Sequence, residues 1–265
     1  MTRGEMAQAY DAIADDYDAQ LEGDLWMRKR LWSHYARIFR PGQQLLDVGC
    51  GTGIDSLFLA QQGIKVTGID VSPGMIAQLR EKAEARGLTG LVETRVMDFA
   101  GLDSWPAESF DAVISAFAAL NSVTDLAPFA QTAARLLRPE GRLVVHMLNR
   151  FSLWEWLGLL RKRRWREAAA LGRQDERTFV VGGVRLGHHL FSAEEAYRRF
   201  FEPHFILRGR YGLGSLRPPH TVRRIPGVIT EALGILDGWA GPHYPVANWG
   251  RFFVLEMAPR RGASR

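Results

Sequence analysis

Three carboxylates and a run of glycines carry most of the chemistry in this 265-residue chain. Residues 45–53 read LLDVGCGTG: an apolar stretch of strand length delivers Asp47 to a turn where Gly49, Gly51 and Gly53 lack Cβ atoms. The backbone there can bend sharply, and a ligand can press against it at the start of the next helix. The spacing is G-x-G-x-G, whereas a pyrophosphate-binding turn usually reads G-x-G-x-x-G. An acidic side chain at the strand end suits a ligand carrying an amino group and a positive sulfonium better than one carrying two phosphates. Asp70, 17 residues past Gly53, can accept from both hydroxyls of a ribose, or it can serve the helix that VSPGM starts. Asp98, in VMDFA, offers a carboxylate to an exocyclic amine beside the Phe99 ring; a plain turn residue is the other reading.

Placing these residues falls to alternating strands and helices. Short apolar runs at 44–48, 65–70, 91–97, 110–115 and 142–148 predict strands, and helical periodicity fills 54–62, 72–86 and 126–137. That alternation predicts right-handed βαβ units in a mostly parallel sheet. All three carboxylates then fall at carboxyl ends of strands, where such sheets bind ligands. Ahead of the sheet, residues 6–39 read as one helical stretch. After Asn149 the rhythm changes: 151–171 is a Trp-rich basic helical stretch, and 177–189 is a hairpin turning at Gly182 and Gly183. Ser192 with Glu195 forms a capping box that opens a helix to 201. A strand at 205–210, a Pro- and Gly-punctuated insert over 212–244 with a helix at 228–239, and a last strand at 251–257 complete the reading. The expected organisation is an N-terminal helical cover (1–40), a ligand-binding core (41–150), an acceptor cap and insert (151–250), and a final strand with a basic tail (251–265).

A hydrophobic content of 46% is enough for a substantial core. Cys50 is the single cysteine, which excludes an intramolecular disulfide and a multi-cysteine metal site, and no metal is expected. The net charge of +5 gathers in 161–166 (RKRRWR), in Arg208, Arg210, Arg217, Arg223 and Arg224, and in Arg260, Arg261 and Arg265. These clusters read as solvated faces; no nucleic-acid partner is expected, while association with a membrane surface stays open. No long uncharged apolar run occurs and the first 19 residues are polar and acidic, so a cytoplasmic protein is expected.

LLDVGCGTG, GIDVSPGMI, VMDFA, FDAVISAFAALNSV and LLRPEGRLVVHML, in that order and spacing, resemble the successive motifs of class I S-adenosylmethionine-dependent methyltransferases. The resemblance runs over about residues 10–149 and is nearest to the small-molecule group that includes ubiquinone and menaquinone biosynthesis enzymes. It implies a Rossmann-like, doubly wound α/β fold: a mostly parallel seven-stranded sheet whose last strand, at 252–257, is antiparallel, with C-terminal cap and insert elements. It implies S-adenosyl-L-methionine as cofactor, with Asp47, Gly49, Cys50, Gly51 and Gly53 along its methionine part and Asp70 on the ribose. Val71 and Met75 would pack on the adenine, Asp98 and Phe99 would recognise it, and Ser115, Ala116 and Phe117 would face the sulfonium and acceptor. YDAIADDYD, at 10–18, resembles the segment that folds over the cofactor in this group, with Tyr17 as the cover.

The implied reaction moves a methyl group to a small-molecule acceptor such as a phenol, quinone, lipid or natural-product intermediate. A nucleic-acid or protein methyltransferase and a non-catalytic binder are the alternatives. Where N-methyltransferases acting on DNA or protein amides often carry an N/D-P-P-Y-type tetrapeptide after the fourth strand, this chain reads SAFAAL, which argues against base-amine acceptors. A general base is optional for this displacement; if one is used, His188 and His189 at the hairpin end are the candidates, and His146 reads as a core histidine.

Overall fold

The computed structural model describes residues 2–222 and 225–260; Arg223, Arg224, Arg261 and Arg265 of the basic stretches lie outside the described residues. The chain opens with helices α1 (Arg3–Asp11), α2 (Tyr17–Gln20) and α3 (Leu25–Ile38), then alternates β1 (Gln44–Val48), α4 (Ile54–Gln61), β2 (Lys65–Asp70), α5 (Pro73–Ala85), β3 (Val92–Val96), β4 (Phe110–Ser115), α6 (Ala127–Leu136) and β5 (Leu137–Leu148). A cap follows: α7 (Leu153–Arg161), α8 (Trp165–Ala170), the hairpin β6 (Glu176–Val181) and β7 (Val184–His189), and α9 (Ala193–Ala196). β8 (Phe205–Leu213), α10 (Gly227–Ala240) and β9 (Phe252–Pro259) close the chain.

The seven-stranded sheet has the order β3-β2-β1-β4-β5-β9-β8. The first five strands pair in parallel, and β9 slots antiparallel between β5 and β8, as the resemblance implies. Neighbouring residues on the central strands feed opposite faces, because side chains alternate along a strand. Leu46, Val113, Val145 and Phe253 join the core under α6, with Phe129 and Leu136. Leu45, Ile114, Val144 and Val254 join the core under α3, with Leu31 and Tyr35. Strand order reverses between β1 and β4, and a crevice opens there at the carboxyl ends of the strands.

The helical reading of 6–39 needs correction. The chain breaks between α1 and α3 because its aspartates bond outward: Asp11 accepts the Gly74 amide (2.8 Å) at the start of α5, and Asp18 accepts from Thr52 Oγ1 and Lys82 Nζ. The stretch 151–171 is likewise broken, at Arg163, whose φ is +58°. The 192–201 helix continues past α9 as a wider π turn over 197–201. The hairpin packs on α1 so closely that a Cβ at Gly182 would lie 2.2 Å from the Ala9 carbonyl oxygen.

Candidate active site

The three glycines after β1 answer to different constraints. All have positive φ, between +55° and +80°, which favours glycine. A Cβ at Gly49 would lie 2.4 Å from Ala119 Cβ, and one at Gly53 would lie 2.0 Å from Leu79 Cδ1, so both are fixed by packing. At Gly51 a Cβ would meet only Tyr17 Cε1, at 3.8 Å: this glycine faces open space beneath a tyrosine.

That space is a cavity of about 240 Å³ at the carboxyl ends of β1, β2 and β4. Of the residues singled out from the sequence, Tyr17, Asp47, Gly49, Cys50, Gly51, Asp70, Val71, Met75, Asp98, Phe99, Ala116, Phe117 and His188 line it. Three do not. Gly53 is turned toward Leu79. Ser115 is buried and donates to the Val48 carbonyl at 2.8 Å. His189 points the other way along β7 and shares a 2.9 Å hydrogen bond with Thr124 Oγ1.

Charge inside the cavity is mostly negative and poorly solvated. Asp47 is 1% exposed; burial, with the Asp55 charge adding, raises its pKa to about 7 against the Ser56 hydroxyl, which donates to it at 2.6 Å, and Arg28. Burial also raises Asp70, opposed by the Ser72 and Gly51 amides that donate to it, each at 2.9 Å. Asp98 caps the turn after β3 and meets Arg3 of α1 at 3.4 Å across the cavity mouth. Tyr10 and Tyr17 stand edge to face above Gly51, their ring centres 6.3 Å apart, and burial pushes both phenols up so that they stay neutral hydroxyls.

Sequence reasoning missed the one arginine or lysine buried among the described residues. Arg28 on α3 lines the cavity, pairs with Asp55 on α4, and lies 3.9 Å over the Phe117 ring centre. Trp32 Nε1 donates to the same carboxylate at 2.6 Å. One signal was present: Arg28 stands three and four residues before Leu31 and Trp32, on the apolar stripe of its helix, where an unpaired charge is costly. Phe117 itself is held by His146, which reads correctly as a core histidine. His146 Nδ1 accepts the Phe117 amide at 2.9 Å, and burial lowers its pKa to about 3, fixing a neutral ring that carries its proton on Nε2. That bond supports a strained turn, since Phe117 and Ala118 have φ of +49° and +70°.

His188 closes the cavity from the hairpin. It is 6% exposed, stands edge to face with Phe179, and has no hydrogen-bond partner at Nδ1 among the described residues. Burial lowers its pKa, opposed by the Leu186 carbonyl, so the ring is neutral near pH 7. Leu186, Leu120, Val123 and Phe117 give the same cavity an apolar part of its wall, with Ser122 among them.

Comparison with known proteins finds relatives over the core of the chain. A methyltransferase domain family model matches residues 46–145. Demethylmenaquinone methyltransferase of Tropheryma whipplei is 38% identical over 105 residues, 39% of this chain and 41% of that protein. Nocamycin O-methyltransferase of Saccharothrix syringae is 42% identical over 128 residues, 46% of this chain and 44% of the relative. The chain thus spans less than half the length of these two curated relatives. The Burkholderia thailandensis 1,6-didemethyltoxoflavin-N1-methyltransferase, solved with its substrate and S-adenosylhomocysteine, superposes with a TM-score of 0.59 at 17% identity, over 98% of this chain and 87% of that one. Residues 46–145 thus match a methyltransferase domain family, and they form the parallel part of a Rossmann-like sheet.

Proposed function

We propose that this protein transfers a methyl group from S-adenosyl-L-methionine to a small, largely apolar acceptor. The observation that carries the reading is the donor set around Gly51: acidic side chains at three successive strand ends, one buried guanidinium, and a glycine whose missing side chain leaves the turn open. An amino-acid sulfonium nucleoside fits that set group by group. Asp47, raised by burial, gains from a cation beside it; Arg28 holds a carboxylate; Asp70 accepts from ribose hydroxyls; Asp98 accepts from an exocyclic amine, with Phe99, Val71 and Met75 along the base. Gly49, Cys50 and Gly51 supply the floor and Tyr17 the cover, while Ala116 and Phe117 border the acceptor.

When bound, the cofactor supplies a methyl group on a positive sulfur, an electrophile that needs only a nucleophile held in line. Phe117 and Leu186 exclude water from the acceptor end. His188, neutral and unpartnered at Nδ1, takes the proton of an acceptor hydroxyl or acidic carbon. His189, tied to Thr124 and outside the cavity, is left out of this role. Residues 1–40 act as the cover, 41–150 as the cofactor core, 151–250 as the acceptor cap, and 251–265 as closing strand and tail. Among the described residues no helix is long and apolar enough to cross a membrane, and a cytoplasmic location belongs to the same proposal.

Calorimetric titration with S-adenosylmethionine, S-adenosylhomocysteine and NAD tests the reading. Micromolar binding of the first two without NAD is expected, with affinity weakened in Asp70→Ala and abolished in Gly51→Val. A folded protein that binds neither sulfur compound would sink the proposal.

A further inference from the structure

Helix α10 is built inside out. Its inward face holds Asp237, which is 2% exposed and accepts the Gly214 and Leu216 amides at 3.2 and 2.6 Å. Nearby, the Gly234 carbonyl accepts from Arg30, and Glu231 pairs with Arg217. The outward face, from Val228 through Ala232 and Ile235 to Trp239, follows helical spacing, and the one charge at its border, the exposed Glu231, is paired with Arg217. Among the described residues, Val228, Ile229, Ile235, Leu236, Trp239 and Tyr244 make up half of the large hydrophobic side chains left exposed, and Val228, Ile235, Trp239 and Tyr244 are each more than 70% exposed. Soluble surfaces seldom gather apolar side chains in this way without something to cover them.

The charge carried by the same cap indicates what that is. Trp154 Nε1, at the start of α7, donates to the Leu216 carbonyl at 3.2 Å, so α7 abuts the loop that Asp237 caps. At the far end of this nine-residue helix, about 13 Å away, begins the run of Arg161, Lys162, Arg163 and Arg166, all exposed and without ion-pair partners among the described residues, with Trp165 61% exposed between them. An apolar stripe ending in Trp and Tyr rings with unpaired arginines close by matches the interface of an anionic bilayer, where rings sit at headgroup level and cations meet lipid phosphates. A second copy of the chain fits less well. Five of these side chains lie on α10 and Tyr244 just beyond it, and a contact between two copies that also covered the basic run would set like charges against each other.

We propose that α10, with the basic run at 161–166, is a docking surface for an anionic lipid bilayer. The same cap walls the cavity: Glu155 of α7 pairs with Arg177 of β6 at 3.0 Å, and β7, the partner of β6, carries His188. The docking surface and the cavity wall thus belong to one connected cap, and an acceptor dissolved in lipid is the class this arrangement serves; that last step rests on the proposed methyl transfer, while the docking does not.

The test is flotation of the full chain with vesicles of phosphatidylcholine alone and of phosphatidylcholine mixed with phosphatidylglycerol, with no cofactor added. The protein should float with the mixed vesicles at least about tenfold more strongly than with the neutral ones, and less as salt rises. Ile235→Glu with Trp239→Glu should abolish flotation, and Arg163→Glu with Arg166→Glu should weaken it by about fivefold or more per charge. Both variants should keep the parent's melting temperature and S-adenosylhomocysteine affinity, because they alter only exposed side chains. No flotation with either vesicle, flotation indifferent to the α10 variant, or a dimer that this variant dissociates would each overturn the proposal. Failure to bind S-adenosylhomocysteine would instead count against the enzymatic reading and leave the flotation result standing.

Discussion

Replacing Asp55 by Ala leaves the Arg28 guanidinium, whose side chain is 7% exposed, without its counter-charge and strips the acceptor from Trp32 Nε1. Breaking a buried ion pair by removing one partner costs about 3–5 kcal/mol, and the orphaned indole N–H adds about 1 kcal/mol or more. The Phe117 face, 3.9 Å from the guanidinium, stays in place and returns about 1–2 kcal/mol. The net loss is then about 2–5 kcal/mol out of a typical reserve of about 5–15 kcal/mol, so the variant should fold but unfold at much lower urea. Arg28→Met with Asp55→Leu removes both charges at similar volume and should sit within about 1–2 kcal/mol of the parent, because burying an ion pair is itself expensive. Urea denaturation of both variants measures this. A loss below about 1 kcal/mol in Asp55→Ala, or a double variant as unstable as the single, would refute the account of a pair held against desolvation. The stable double variant should still bind S-adenosylhomocysteine at least about tenfold more weakly; undiminished affinity would reduce Arg28 to a structural role.

His188→Gln should lower turnover by about 10²-fold or more while leaving cofactor affinity within twofold, and the acid limb of the parent's rate profile should fall below the ordinary histidine value of 6.5. An unchanged rate would remove it as the proton acceptor. Because the Asp47 pKa is raised from 3.8 to about 7, the folded state holds a proton that the unfolded state gives up. Stability of the ligand-free protein should accordingly fall as pH rises through that window, and Asp47→Asn should flatten the fall in melting temperature. Gly53→Ala puts a methyl group 2.0 Å from Leu79 Cδ1 at a φ of +80° and should cost about 2–4 kcal/mol. Ligand affinity measured on the folded fraction should hardly change, and a selective loss of affinity would mean that Gly53 touches ligand after all.

The sheet was legible because its signals are local. Strands such as 44–48 and 110–115 are short apolar runs, and Ser72 with Pro73 marks the start of α5 so plainly that its Oγ is found accepting the Met75 amide at 3.0 Å. The hairpin turn at Gly182 and Gly183 was equally readable. What could not be read depends on partners far apart in the chain. Arg28 and Asp55 each look like a surface charge until two helices meet and bury both. Asp11 and Asp18 continue a helical pattern, and only α5 and the Thr52 turn, more than 30 residues on, make it better for the backbone to break there. His188 and His189 are indistinguishable in sequence, yet alternation along β7 sends one into the cavity and the other toward Thr124. Gly53 passed as a ligand contact because a missing Cβ reads the same whether a ligand or a leucine takes its place.

The aspartates that fasten the N-terminal segment set the tempo of the molecule as well as its shape. Asp11 grips the start of α5, Asp15 accepts from Gln78 at 2.8 Å, and Asp18 is shared between Thr52 and Lys82, so the strap bearing Tyr10 and Tyr17 is tied down at three points over Gly51. A nucleoside lying on that glycine cannot depart until these ties let go together. Under the proposed methyl transfer, the spent cofactor should therefore outstay the methylated product, making its escape the slow step of each cycle and leaving the protein prone to stalling on its own by-product. Of the three, only the Lys82 tie joins opposite charges, so added salt should quicken release. The strap is in this sense a clock, wound by carboxylates that never meet the acceptor.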